Sequence, residues 1–141
     1  QLMNAYSCTE CGRCTSECPA NQTGKKLSPR KIMMDTRDRL EKVSLNISKN
    51  KGEFIDDGDR LLDNYISKEE LWACTSCNAC VEACPINIDP LSIIMDMRQY
   101  LIMEESSAHP DLNNMMNNIE NNGAPWPYNQ LDRELWAQET Q

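Results

Sequence analysis

The chain has 141 residues, a formal charge of −8 and a mean hydropathy of −0.64, enough for one compact domain with a modest core and a peripheral tail. The acidic balance argues against a nucleic-acid partner, and no apolar run approaches the roughly 20 residues that cross a bilayer. Aromatic residues make up 6% of the chain and Phe54 is the one phenylalanine, so side-chain burial is thin and something else must help hold the fold. Eight cysteines fall into two tight runs, and no signal peptide precedes them. That grouping favours metal ligands over a disulfide scaffold. A chain that opens on Gln1 is also expected to be a piece of something longer.

In chain order, residues 2–7 predict a short helix, followed by the first cysteine run, C-T-E-C-G-R-C-T-S-E-C-P at 8–19. Lys25, Lys26, Arg30 and Lys31 then cluster, but Asp35, Asp38 and Glu41 follow, which reads as a solvated helix face. Ser28 as N-cap and Pro29 as first residue start that helix, with Ile32, Met33, Leu40 and Val43 as its apolar stripe. Residues 44–65 read as a polar connection with at most a short helix at 59–64, in which Asp56 and Asp57 are solvated acids. Ser67 with Glu70 forms a capping box for a helix over 68–73. The second run, C-T-S-C-N-A-C-V-E-A-C-P, occupies 74–85. Asp89 and Pro90 open a further helix with Ile93, Ile94, Met97 and Leu101 at helical spacing. Met33, Met34, Met95 and Met97 read as flexible core filler, not ligands. His109 reads as a surface loop residue, 111–121 as another helix, Gly123-Ala-Pro-Trp-Pro as its stop, and 131–136 as a last helical turn. This divides the chain into a domain at 1–108 and a partly helical tail at 109–141, which packs back or docks on a partner; Trp126 is its candidate contact residue.

The two cysteine runs are copies of each other. Every cysteine and the closing proline align at an offset of 66 residues, and S-P-R-K-I-M-M-D-T-R at 28–37 aligns with D-P-L-S-I-I-M-D-M-R at 89–98 at an offset of 61. The first copy therefore holds five additional residues, placed at 21–25. No strand pattern competes, so the expected class is all-α with two pseudo-symmetric cysteine-loop-plus-helix repeats.

Zinc takes four ligands in a tetrahedron and usually draws them as two separated C-x2-C pairs, so three cysteines spaced by two residues fit it poorly. The run C-x2-C-x2-C-x3-C-P instead matches the bacterial ferredoxin pattern, in which three close cysteines hold one [4Fe–4S] cluster and the fourth reaches the other. That match implies two [4Fe–4S] clusters, one on Cys8, Cys11, Cys14 and Cys84 and the other on Cys74, Cys77, Cys80 and Cys18. Ligands drawn from both copies would couple cluster assembly to folding. Gly12 and Asn78 hold equivalent places and tolerate positive φ, which helps aim backbone N–H groups at sulfur. Pro19 and Pro85 fix the chain direction after the fourth cysteine.

Two such motifs joined by a helical connection, with P-R-K-I-M-M-D-T-R and P-L-S-I-I-M-D-M-R behind them and N-N-G-A-P-W-P-Y in the tail, resemble the C subunit of heterodisulfide reductase and its relatives. The resemblance covers residues 1 to about 103 and implies an α-helical ferredoxin fold. It implies electron transfer between a membrane haem, quinone or flavin partner and a catalytic oxidoreductase subunit. The chain is also similar to bacterial iron–sulfur oxidoreductases in which such a domain follows membrane helices like those of a cytochrome b subunit. Its expected location is accordingly the cytoplasmic side, associated with a membrane through a further segment or partner. The cysteine-rich C-C-G modules of larger relatives are not in this sequence, so a cysteine-rich or flavin-containing catalytic subunit would be a separate chain. No catalytic residue and no direct small-molecule substrate are expected: there is no glycine-rich nucleotide loop, and His109 is the one histidine. The rival reading is a binding or sensor module in which the clusters are structural.

Overall fold

The structure is a computed structural model that describes residues 1–138. Among these residues helices form throughout, no strand forms, and an isolated bridge joins Leu62 to Ile66. The chain divides into two compact units, Gln1–Tyr100 and Leu101–Gln141.

In the first unit, α1 (Leu2–Ser7) ends where Cys8 turns to extended backbone. Helix α2 (Arg13–Ser16) starts after Gly12, and α3 (Pro19–Gln22) starts on Pro19, directly after Cys18. The additional residues of the first copy complete α3 and its turn at Gly24; within them Asn21 donates from Nδ2 to the Leu27 carbonyl at 3.0 Å. Helix α4 (Pro29–Lys49) has the expected start, with the Ser28 side chain accepting the Lys31 N–H. Helix α5 (Lys68–Ala73) carries the expected capping box between Ser67 and Glu70. Helix α6 (Ala79–Glu82) follows Asn78, and α7 starts at Pro90 and runs to Met103, with Asp89 Oδ1 accepting the Ser92 N–H at 3.0 Å. Helix α1 packs along α4, and the two motif helices, α2 and α6, meet.

Two departures from the sequence reading lie between the copies. Residues 44–49 continue α4 instead of starting a loop, and 59–64 do not make a helix: Leu61–Tyr65 form a wide turn with Leu62 at ψ 140° and Asp63 at φ 74°. Both follow from polar contacts that fold the connection back on α4. Arg39 grips Asp57 with two bonds of 2.6 and 2.7 Å, Asn46 pairs with the backbone of Ile55 in both directions, and Lys42 lies 3.5 Å from Asp59. Asp57 is therefore an ion-pair partner, and its carboxyl is lowered to about 2 by the Arg39 bonds. Asp56 accepts the Gly58 N–H.

The core is small and sits where the copies meet. Leu27, Ile32, Met33, Ile66, Leu71 and Ile94 are buried, as are Pro29 and Pro90. Each buried aliphatic contributes about 1.5–3 kcal/mol. The α4 stripe fades beyond Thr36, because Leu40 and Val43 are half-buried. Met33 and Met97 are core residues as expected, Met34 is half-buried, and Met95 is 45% exposed, so it does not fill the core.

The second unit contains α8 (Pro110–Asn122), which ends at Gly123 in the left-handed conformation, a 3-10 turn at Gln130–Glu134, and α9 (Leu135–Gln138). His109 is the N-cap of α8, with Nδ1 accepting the Asp111 N–H at 3.4 Å. It is an exposed loop residue, as its sequence context suggests, and it also caps α8.

Candidate metal centre

The eight cysteines are free thiols and are drawn together around two cavities. The first is lined by Cys8, Cys11, Cys14 and Cys84, with Cys80 also on its wall. The second is lined by Cys18, Cys74, Cys77 and Cys80. Each cavity thus takes three cysteines from one copy and the fourth from the other. Cys80 stands on the wall of both. Among the described residues no three His, Cys, Asp or Glu side chains converge tightly enough to hold a single ion. Four or more thiols on each wall, drawn from both loops, fit the four cysteine ligands of a [4Fe–4S] cluster.

Much of each wall repeats as the sequence does. Thr9, Gly12, Met33, Ile88 and Pro90 line the first cavity, and their counterparts Thr75, Asn78, Ile94, Leu27 and Pro29 line the second. The apolar members bring low local dielectric and exclude water, conditions under which charge and hydrogen bonds at sulfur weigh most. One aligned pair differs in charge: Arg30 lines the first cavity where Leu91 lines the second. The basic cluster is therefore not uniformly a solvated face. Lys26 pairs with Glu69 at 2.7 Å, Lys31 pairs with Asp35 and Glu70 at 2.9 Å each, and Arg30 belongs to the cavity. Its alignment with Leu91 was the signal in the sequence that could have marked it.

Local backbone geometry explains how the loops wrap. Gly12 and Asn78 take φ 79° and 61°, as their equivalence predicts, and each then begins a short helix. Glu10 and Ser76, also equivalent, both take φ 57°. Their residue types gave less warning, since left-handed backbone is uncommon for glutamate and serine. The resulting turns expose N–H groups to sulfur: Ser76 donates to Cys74 Sγ at 3.4 Å, and Ile88 to Cys84 Sγ at 3.3 Å.

Cys11 and Cys77 are exposed, Cys18 and Cys80 are buried, and the other four lie between. Burial pushes the Cys80 thiol up to about 11, with Cys74, Cys18 and Cys14 adding to the shift, and burial also raises Cys14. Cys77 is lowered by the Ala79 N–H and the Thr75 side chain. Because a thiolate is the ligand, metal binding must displace these protons, and Cys80 resists that most.

The outer supports differ between the copies. Arg98, on α7, bonds the Leu71 carbonyl at 3.1 Å through Nε and the Cys74 carbonyl at 2.6 Å, and its guanidinium lies 5.0 Å from the centre of the Trp72 ring. Its counterpart Arg37, on α4, pairs instead with Glu10 at 2.6 Å. Glu70 accepts from Ser67 and from Lys31, so although burial opposes its charge, these partners hold its carboxyl below the usual range.

The 4Fe-4S dicluster domain family matches residues 7–88, a span that contains every cysteine. The chain belongs to the 4Fe-4S dicluster domain family, and its eight cysteines fit two [4Fe–4S] clusters. Among its relatives are a protein named probable iron-sulfur-binding oxidoreductase FadF, from Bacillus subtilis (32% identical, 99% of this chain and 24% of the relative), and a probable membrane-anchored ferredoxin from Chromohalobacter salexigens (32% identical, 97% and 22%). The iron-sulfur C subunit of the CoB–CoM heterodisulfide reductase from Methanopyrus kandleri is 32% identical over 60% of this chain and 33% of its own length. The chain spans about a quarter of the length of the first two relatives.

Proposed function

We propose that this chain relays electrons between two protein partners through two [4Fe–4S] clusters and carries no substrate chemistry itself. Cys8, Cys11, Cys14 and Cys84 would hold one cluster, and Cys18, Cys74, Cys77 and Cys80 the other. When bound, such a cluster supplies reversible uptake of one electron at a potential that its surroundings set. The observation that carries the reading is the pairing of two thiol-lined cavities through Cys80, each with one exposed thiol, Cys11 or Cys77. Such a pair is accessible from outside at both sites and continuous within, which a relay needs and a structural staple does not.

The apolar walls hold water away from the buried thiols, and the Ser76 and Ile88 N–H groups stabilise charge on Cys74 and Cys84. Arg98 holds the Leu71 and Cys74 carbonyls and so fixes the chain as it enters the second motif. The partners are oxidoreductase subunits: a membrane haem, quinone or flavin donor on one side and a cysteine-rich or flavin-containing catalytic subunit on the other. No helix among the described residues is long and apolar enough to cross a membrane. Membrane association would therefore run through another segment or partner, a reading supported by the name of the Chromohalobacter relative. Residues 109–141 are the proposed contact with a partner, since Trp126, Tyr128 and Leu131 are 61%, 69% and 84% exposed.

Anaerobic iron and acid-labile sulfide analysis, followed by low-temperature EPR before and after dithionite, tests the reading. About eight irons and eight sulfides per chain, with a coupled signal on reduction, are expected. Zinc without sulfide would overturn the relay, and clusters that resist reduction would leave only the structural role. Truncation before Gly123 should keep the clusters and weaken partner binding.

A further inference from the structure

Where the two cavity walls align, they differ in charge at one position: an arginine lines the first and a leucine the second. Arg30 differs from the next four cations of α4. Lys31, Arg37, Arg39 and Lys42 each have a carboxylate partner. The Arg30 guanidinium has none among the described residues, and its backbone N–H is held by Thr15 Oγ1 at 3.2 Å. Thr15 Oγ1 in turn lies 2.9 Å from Ser28 Oγ, which caps α4. The start of α4 is thus tied to the first cysteine loop. Gly12 lies beside the guanidinium: a Cβ built there would be in ordinary contact with it, 3.9 Å from Arg30 Nη1. At the second site that place is taken by Asn78, and the lining residue, Leu91, has no charge.

We propose that Arg30 sets the redox potential of the first site, raising it above the value the same thiol cage would have with a leucine lining. This rests on the two-cluster reading above. A cluster held by four thiolates is anionic, and reduction adds one further negative charge without a proton. A fixed cation on the cavity wall stabilises the reduced form more than the oxidised one, so it shifts the midpoint upward. An arginine suits this role because it stays protonated at every working pH. Exposure of Arg30 limits the effect through solvent screening. The second site has a cation nearby as well, Arg98, but it is bonded to the Leu71 and Cys74 carbonyls and does not line the cavity. Arg37, near the first motif, is neutralised by Glu10. Arg13, inside the first loop, lines neither cavity, so Arg30 is the cation on the two cavity walls through which one site can be adjusted without the other.

The experiment is an EPR-monitored redox titration of the full chain with both clusters loaded, comparing the parent with Arg30→Leu, Arg30→Lys and Leu91→Arg. Iron and sulfide are counted first on every variant, so a chain without clusters reports failure of the two-cluster reading and not of this one. Arg30→Leu should lower one midpoint by a tenfold change in the reduced-to-oxidised ratio, about 59 mV for one electron. The other midpoint should stay within a third of that change. Arg30→Lys should restore most of the shift, and Leu91→Arg should raise the midpoint that Arg30→Leu leaves alone. Unmoved midpoints in Arg30→Leu with clusters intact, or movement of both together, would overturn the proposal.

Discussion

In the first copy the helix behind the cysteines, α4, runs 21 residues and carries Arg37 to Glu10; in the second, α7 runs 14 and carries Arg98 to the carbonyls of Leu71 and Cys74. The first copy inserts α3 after its fourth cysteine, whereas the second makes only a turn at Pro85 and Ile86. Yet Cys18 and Cys84 each arrive at the cavity of the other copy. The thiol cages are thus held in common, while supports, charge and connections have diverged. This is the division expected if the metal demands the cage geometry and only potential and partner choice depend on what lies outside it.

The largest effect should come from the residue the two cavities share. Cys80→Ser places a poorer ligand on the wall of both and should cost the second cluster outright while disturbing the first; iron per chain should fall to half or below. Iron analysis of anaerobically purified protein checks this, and an unchanged count would break the symmetric account.

Next come the two arginines. Arg98→Met removes charged hydrogen bonds to two carbonyls and should cost about 2 kcal/mol, whereas Arg37→Met removes one more exposed ion pair and should cost less. Denaturant midpoints followed by cluster absorbance rank them. Equal losses would mean that the outer supports are as symmetric as the cages.

Glu70 sharpens the comparison through pH, because the first copy has no equivalent capping box. Its carboxyl is held below the ordinary value of 4.5. The stability it adds is therefore complete above its unfolded value and is lost as pH falls through the folded one. Glu70→Gln should cost about 1–2 kcal/mol at neutral pH and flatten the acid limb of the stability curve below the ordinary carboxylate range. An acid limb identical to that of the parent would contradict the assignment.

The smallest effect is expected at the loop turns. Gly12→Asn makes the first loop like the second, and because asparagine tolerates left-handed backbone and a Cβ there meets only ordinary contact with Arg30, the cost should stay near ~0.5 kcal/mol. Gly12→Val should cost several times more, since a β-branched residue at φ 79° is strained.

Much of this arrangement was legible in the sequence because it is local. Ser28-Pro29, Asp89-Pro90 and Ser67 with Glu70 announce helix starts within four residues, and the register of the two cysteine runs fixes which loops are equivalent. The all-helical class followed from the same signals. What escaped depends on distant partners. Residues 44–49 carry no strong apolar stripe, yet α4 continues through them because Asn46 grips Ile55 and, a few residues earlier, Arg39 grips Asp57. Nothing near Asp57 in the sequence names Arg39. Arg30 was hidden by its basic neighbours, whose composition reads as solvated surface until cavity linings are compared position by position.

Crossing of ligands between the copies is the claim on which the account depends most, and two double variants that each lose one first-run and one further cysteine test it directly. Cys18→Ser with Cys74→Ser should retain about half the iron of the parent, because both thiols belong to one cage, whereas Cys18→Ser with Cys8→Ser should lose nearly all of it. The reverse ranking, with the Cys8 and Cys18 pair retaining half, would mean that each copy holds its own cluster and would contradict the shared cages.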